Sequence, residues 1–416
     1  MELPIRPTFW RSPLRGPWLA SFLGSALLPL IAICAFTGFL SHAAYDPDLG
    51  QNAVTPGGGL GVDLYFFDWP TRPAWLYAVT QGLHVGAGLA AIPILLAKLW
   101  AVIPKLFEWP ALRSPAHALE RLSLLLLVGG SLFVFFSGVW NIQIWFPYGF
   151  PFVPAHYFGA FAFLGALGLH LVLKAGVVLR AFREAGVVRP LRDDLASTRP
   201  EPPASGHTTR PVAPSDPTIS RRGLIATVGG ASFALAVMSA GQSVGGPLRK
   251  LALLAPHGRD PGSGPNGFQV NKTAASVEVT DAMTGPDWRL TVRGPSELSL
   301  SREELLGLPQ QTETLTIACV EGWSTTQEWT GVRLRDLAVM AGVGEPGELH
   351  VESLQGTGAF RQATLNPGQA ADPRSLLALR VNGADLSLDH GFPARIIVPN
   401  LPGVHNTKWV ERLEFA

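Results

Sequence analysis

Five apolar runs dominate the first 244 residues, at 17–41, 74–100, 119–142, 152–179 and 224–244. Each has few charges and exceeds the roughly 18 residues that cross about 30 Å of hydrocarbon as a helix. A soluble helical core would show charged faces on helices this long, and these show none. Trp18, Trp69, Trp75, Trp100, Trp140 and Trp145 flank the runs, as an interfacial aromatic belt would. From Pro247 the pattern changes to short runs broken by Gly, Pro and Asn. Residues 276–280, 289–293, 315–318, 349–353 and 394–399 read as strands. Ser301 with Glu304 three residues on forms a capping box that predicts a helix over 301–306, and a second helix is predicted over 334–341.

Charge gives these runs an orientation. Arg6, Arg11 and Arg15 precede the first run, Lys98, Lys105 and Arg113 surround the second connection, and Lys174, Arg180, Arg183, Arg189 and Arg192 end or follow the fourth. The other connections are acidic or neutral, with Asp46, Asp48, Asp63 and Asp68 after the first run. Positive residues stay on the cytoplasmic side. The amino terminus is therefore expected in the cytoplasm, with four helices forming two hairpins over residues 1–182. Residues 183–219, rich in Pro, Ser and Thr from 195 on, read as a cytoplasmic disordered linker. Ser220-Arg221-Arg222-Gly223-Leu224 then opens residues 220–245, either as topology-setting arginines or as a twin-arginine-like export signal retained as an anchor helix. Residues 246–416 are expected outside the membrane. The predicted chain is a multi-pass plasma-membrane protein, its partner membrane lipid: an all-α four-helix transmembrane bundle plus one anchor helix, followed by a mixed α+β domain.

Composition narrows the chemistry. The 416 residues carry a formal net charge of +1, and charged residues make up only 15%, against about 25% in an ordinary soluble domain. No basic excess exists to neutralise a nucleic acid backbone. Two cysteines, Cys34 and Cys319, cannot build a disulfide framework or a four-cysteine zinc site.

Ionisable groups at membrane depth are functional candidates. His84 lies in the second run, and His156 and His170 in the fourth. Two imidazoles on facing helices can ligate a haem iron axially. The alternative is histidines that only hydrogen-bond between packed helices. The pattern is similar to that of bacterial cytochrome b subunits of respiratory dehydrogenases, with one second-helix and two fourth-helix histidines. It departs in the first helix, where His42 sits at the wrong end to complete a second haem. One b haem is therefore expected, His84 pairing with His156 or with His170. His117 reads as interfacial.

In the last segment, Thr314-Leu-Thr-Ile-Ala-Cys319-Val-Glu-Gly-Trp323-Ser precedes Trp329-Thr-Gly331-Val-Arg-Leu334. Upstream stands Asp287-Trp-Arg-Leu-Thr-Val-Arg-Gly294; downstream, His390-Gly-Phe-Pro-Ala-Arg395-Ile-Ile-Val-Pro399 with Lys408-Trp409. In this order the motifs resemble the molybdopterin domain of the sulfite oxidase superfamily, across residues 267–415. The Cys-Val-Glu-Gly-Trp form is closer to the periplasmic methionine sulfoxide reductase catalytic subunit than to sulfite oxidase. The resemblance implies a molybdenum cofactor bound through its dithiolene, with Cys319 as catalytic thiolate ligand. It implies that Arg395 and Lys408 hold the pyranopterin phosphate and that Asn271 contacts the cofactor. His390 either touches the cofactor or caps the turn before Gly391. His350 and His405 receive no role, and Glu321 and Trp323 either shape the pocket or pack in the core. The expected activity is an oxidoreductase linked to the quinone pool through haem, reducing a small-molecule or protein S- or N-oxide. The alternatives are a sulfite-type dehydrogenase running in the opposite direction and a tethered binding or redox-sensing module without turnover.

Overall fold

A computed structural model describes residues 6–45, 65, 67–107, 114–201 and 211–416. Asp46, Asp48, Asp63, Arg113 and the side chain of His117 lie outside the described residues. Five helices coincide with the apolar runs: α1 Pro17–Ala43, α2 Leu76–Val102, α3 Pro115–Ile142, α4 Phe152–Ala185 and α5 Arg221–Val244. All five are long and apolar enough to cross a membrane. Pro29 in α1 and Pro93 in α2 interrupt neither helix.

The chain divides into two compact units. The first comprises residues 1–35, 86–141 and 155–237. Trp18, Leu19, Leu23 and Leu27 of α1 share a core there with Ala91 and Ile94 of α2, Val134 of α3 and Phe163 of α4, against which Leu224 and Val228 of α5 pack. The expected disordered linker is in part built into this unit. α4 runs three residues past the boundary at 182, and Glu201 caps α1 by accepting from the Trp18 and Leu19 N–H groups at 2.7 and 3.2 Å. That carboxylate satisfies donors orphaned at a helix start, which composition could not show. Arg221 is buried, paired with Asp193 at 3.6 Å and donating to the Arg199 carbonyl at 2.6 Å, while Arg222 is exposed.

The second unit comprises residues 36–85, 142–154 and 238–416. Its carboxy-terminal part holds β1 Arg289–Arg293, β2 Glu297–Ser301, α6 Arg302–Gly307, β3 Gln311–Ala318, β4 Ser324–Arg333 and α7 Leu334–Met340. β5 Leu349–Ser353, β6 Gln362–Leu365, α8 Pro367–Ala371, β7 Leu376–Val381, β8 Ala384–Asp385, β9 Arg395–Ile397 and β10 Val410–Phe415 follow. One sheet has the order β2-β1-β10-β5-β6; the other runs β3-β4-β7-β8, with β9 also on β7. β1 pairs with β10 in parallel and with β2 in antiparallel register. The capping box at Ser301 and Glu304 starts α6 as predicted.

The two sheets share one apolar core, to which β1 gives Leu290 and Val292, β10 gives Leu413, and β7 gives Leu377 and Leu379. The alternate β7 residues, Leu376 and Ala378, enter a second cluster with Phe268, Ile317 and Trp329. From Leu376 to Leu379 both faces of β7 are covered, and the strand is apolar there without alternation. Residues 276–280, expected as a strand, form only a short helical turn at Ala275–Val277. Val277 and Val279 are buried against Trp409 rather than aligned on a sheet edge, and Glu278 takes a left-handed backbone with φ 61°. Alternating burial came from packing on one indole, a source that period two does not distinguish from a strand.

Candidate molybdopterin site

β3 delivers Cys319 to the site. Its last residue, Ala318, pairs with Ser324 at the start of β4, and the four residues after the cysteine form a tight turn between the two strands. The Cys319 N–H donates to the Trp323 carbonyl at 2.9 Å and the Gly322 N–H to the Cys319 carbonyl at 3.0 Å. Gly322 has φ 92°, a conformation that glycine adopts without strain. The thiol is 1% exposed. Burial first and the neighbouring Glu321 carboxylate second push it well above the usual thiol range, opposed by hydrogen bonds from the Glu321 and Val320 N–H groups and by Lys408. A thiol in this setting stays protonated until a metal displaces the proton.

The loop between β9 and β10 brings the remaining motif residues to this turn. Pro402 bridges Ala318 in parallel register, and the Gly403 N–H donates to the Ala318 carbonyl at 2.8 Å. Arg395 is 4% exposed and donates to the His390 carbonyl at 3.0 Å and the Asn406 carbonyl at 3.2 Å. Lys408 Nζ donates to the carbonyls of Asp389 and Lys272, the latter the residue after Asn271. Lys408 acts on Cys319, Arg395 lies beside Lys408, and His390 joins them through its carbonyl, while of the expected anchor Asn271 only the neighbouring Lys272 carbonyl reaches Lys408, 136 positions away.

His390 is held at both ring nitrogens, by Ser387 Oγ at 2.8 Å and the Phe268 carbonyl at 3.3 Å. Its side chain positions the turn whose carbonyl receives Arg395. Burial, then Arg395 and Lys408, lowers its pKa to about 4, so the ring is neutral at pH 7. Trp323 is buried with its indole N–H on the Glu321 carboxylate at 2.9 Å, which also meets His257 Nε2 at 2.7 Å. It is a satisfied core residue tied to the turn. His350 lies on β5 beside Glu352. His405, to which the motifs assign no role, is buried, with Nε2 on the Tyr45 carbonyl at 2.7 Å and its ring against Phe360. The partner lies 360 residues away, out of reach of any local motif.

Three observations test whether an anionic pterin cofactor fits here. Among the described ion pairs, none involves Arg395 or Lys408, so two buried cations lack a carboxylate in contact. Burial alone lowers Arg395 to about 9 and, with Arg395 nearby, drives Lys408 well below its ordinary range. Unpaired buried charge is costly, and a phosphate would neutralise it. Arg395 Nε and Gln355 Oε1 are buried without hydrogen-bond partners, an orphan donor and an orphan acceptor. Gln355 reaches this cluster through Ser353, whose hydroxyl donates to the Lys408 carbonyl at 2.7 Å. No described group of three or more His, Cys, Asp or Glu could hold a metal ion. A lone thiolate suits a metal that arrives with its own soft ligands. The residues fit.

Residues 275–416 match the family described as the oxidoreductase molybdopterin binding domain. Over this segment the chain is similar to the molybdopterin-binding domain of sulfite oxidases. Mitochondrial sulfite oxidase of Rattus norvegicus is 35% identical over 146 residues, 29% of this chain and 27% of its own length. The uncharacterized oxidoreductase YuiH of Bacillus subtilis is 35% identical over 135 residues, 31% of this chain and 65% of its own. Nitrate reductase [NADH] of Volvox carteri is 31% identical over 150 residues, 28% of this chain and 17% of its own. The chain therefore spans between about a quarter and a third of the length of the sulfite oxidases it matches. Within the molybdopterin domain, the match begins after Asn271 and His257, so both lie ahead of it.

Of the candidate haem ligands, His156 and His170 belong to the first unit and His84 to the second. In the first, His156 Nδ1 meets Ser137 Oγ at 3.1 Å, and a Cβ on Gly138 would lie 3.5 Å from the ring. A ligating histidine anchored at one nitrogen presents the other to a metal. His170 lies fourteen residues further along α4, half-buried. In the second unit, a Cβ on Gly38 would come within 2.6 Å of His84 Nδ1. Glycine there leaves room for the imidazole beside the α1 backbone.

Proposed function

We propose that this chain is a membrane-bound molybdopterin-dependent oxidoreductase that exchanges electrons with the quinone pool through a b haem and reduces an S- or N-oxide. The observation that carries the molybdopterin part is the buried Cys319 turn with Lys408 acting on it and Arg395 beside Lys408, two buried basic groups that enter none of the described ion pairs. When bound, the cofactor supplies two-electron and oxygen-atom chemistry at an open coordination position. The protein supplies the rest. Cys319 would give the thiolate, Arg395 and Lys408 would bind and orient the phosphate, and Asn271 and Gln355 would offer polar groups to the pterin. His390 stays neutral and holds the Arg395 turn, and the apolar shell of Tyr45, Phe360 and Trp323 excludes water.

His84 with His156, or with His170, would hold one haem, and the five apolar helices support a multi-pass plasma-membrane location. The distribution of arginines and lysines supports placing the molybdopterin domain on the extracytoplasmic side, exported through the Arg221-Arg222 signal. Reduction is favoured over sulfite oxidation by one feature: Val320-Glu321-Gly322-Trp323 follows the cysteine, with no arginine in that turn to bind a sulfite oxyanion. Likeness to sulfite oxidases supports the reverse direction as the second reading. The test is reduced viologen oxidation by molybdenum-loaded protein with sulfoxides and N-oxides, against acceptor reduction with sulfite. Turnover only with sulfite overturns the reductase reading, and turnover with neither favours a binding module.

A further inference from the structure

The turn after Cys319 has a complete hydrogen-bond account. The Cys319 carbonyl accepts from Gly322 N–H and the Trp323 carbonyl from Cys319 N–H, both within the turn. The three carbonyls between them are all taken by side chains from two apolar helices. Gln81 Nε2 of α2 donates to Val320, Gln242 Nε2 of α5 to Glu321 at 3.0 Å, and Ser243 Oγ of α5 to Gly322 at 2.6 Å. Ser324 Oγ returns a hydrogen bond to the Ser243 carbonyl. Val85, one turn beyond Gln81, lies where a Cβ on Gly322 would come within 3.0 Å.

The peptide between Val320 and Glu321 faces both ways. Its carbonyl accepts from Gln81, and its N–H belongs to Glu321, two residues past the cysteine, one of the two turn amides whose pull opposes the upward push of burial on the thiol. A donor on the carbonyl polarises a peptide and strengthens its N–H. A hydrogen bond to a ligating sulfur withdraws charge from the metal it binds and raises the potential, as at other thiolate centres. We propose that Gln81, with Gln242 and Ser243, is a positioning set that holds the Cys319 turn and tunes the donor strength of its thiolate from the helix side. His84 follows Gln81 by three residues on the same face of α2. The helix that carries the candidate haem ligand is therefore hydrogen-bonded directly to the candidate molybdenum ligand's turn.

This inference rests on the molybdenum reading, so its experiment has one readout that needs the metal and one that does not. In full-length protein, Gln81→Met removes the donor at similar size, Ser243→Ala removes a second, and Gln143→Met removes a comparable side-chain bond to the Leu254 carbonyl away from the turn. In apoprotein, hydrogen exchange of the peptide spanning 319–324 is expected to rise about fivefold to tenfold in the Gln81 and Ser243 variants, the loss of about one hydrogen bond each. It should stay unchanged in the Gln143 variant. In loaded protein, the Gln81 variant is expected to shift the Mo(V) paramagnetic spectrum and move the molybdenum potential negative. Gln81→Asn, which keeps a shorter donor, should recover part of both. Unchanged exchange in apoprotein overturns the clamp whether or not molybdenum binds. Faster exchange with wild-type spectrum and potential overturns the tuning. Wild-type protein with no molybdenum overturns the underlying function, and the tuning with it, while exchange still decides the clamp.

Discussion

Arg395→Met separates a cation kept for folding from one kept for a ligand. The guanidinium is buried, makes two hydrogen bonds to carbonyls, lies 5.1 Å over the Trp329 ring and leaves Nε without a partner. Burial lowers its pKa to about 9. A drop of that size corresponds to about 5 kcal/mol, an upper bound on what a phosphate beside it recovers. Met fills similar volume without charge, so it removes the desolvation cost along with the two hydrogen bonds. The apoprotein variant is therefore expected to unfold at or above the wild-type temperature. Cofactor affinity is expected to fall by up to about three orders of magnitude, and the rise in Tm on loading to shrink by about 10–20 °C. Thermal unfolding of apo and loaded protein, with molybdenum content after dialysis, measures both. Equal Tm gains on loading in variant and wild type, or an apo variant destabilised as much as the loaded one, would refute this reasoning.

Gly331 lies at a bulge between β4 and β7, where a Cβ would stand 2.0 Å from the Leu377 carbonyl oxygen; Gly331→Ala is expected to cost more than about 3 kcal/mol and to yield a carboxy-terminal domain that is proteolysed as made. His390 is neutral when folded with a pKa near 4, facing Arg395, Lys408, Asp389 and Ser387. The unfolded chain protonates first as pH falls through about 6.5, so stability is lost between there and pH 4, by about 3 kcal/mol. His390→Gln apoprotein should show a flatter chemical-denaturation profile across that window, and an identical slope would contradict the assignment. A reduced-minus-oxidised visible spectrum should show a b-type band in wild type and none in His84→Ala; retention of the band removes His84 as a ligand.

Much of this was legible in the chain. The five helices begin and end within a few residues of the runs that predict them, because hydrocarbon thickness sets length directly. β1 and β5 match their predicted residues, since each shows one buried and one wetter face. β4 escaped notice because Thr and Gln cover its outer face, and β7 because both its faces are buried from Leu376 to Leu379. Motifs singled out Cys319, Arg395 and Lys408. They could not show that Gln81, Gln242 and Ser243 grip the cysteine turn or that His405 meets Tyr45, since those pairs join residues 79 to 360 positions apart. Ordinary polar residues acquire such roles only from tertiary placement.

The central claim is that Cys319 ligates a molybdenum carried by a pterin dithiolene. X-ray absorption at the molybdenum edge, on purified wild type and Cys319→Ser, counts sulfur neighbours directly. Three sulfur neighbours in wild type and two in the variant are predicted. Absence of molybdenum from correctly folded wild type, or the same sulfur count in both proteins, would contradict it.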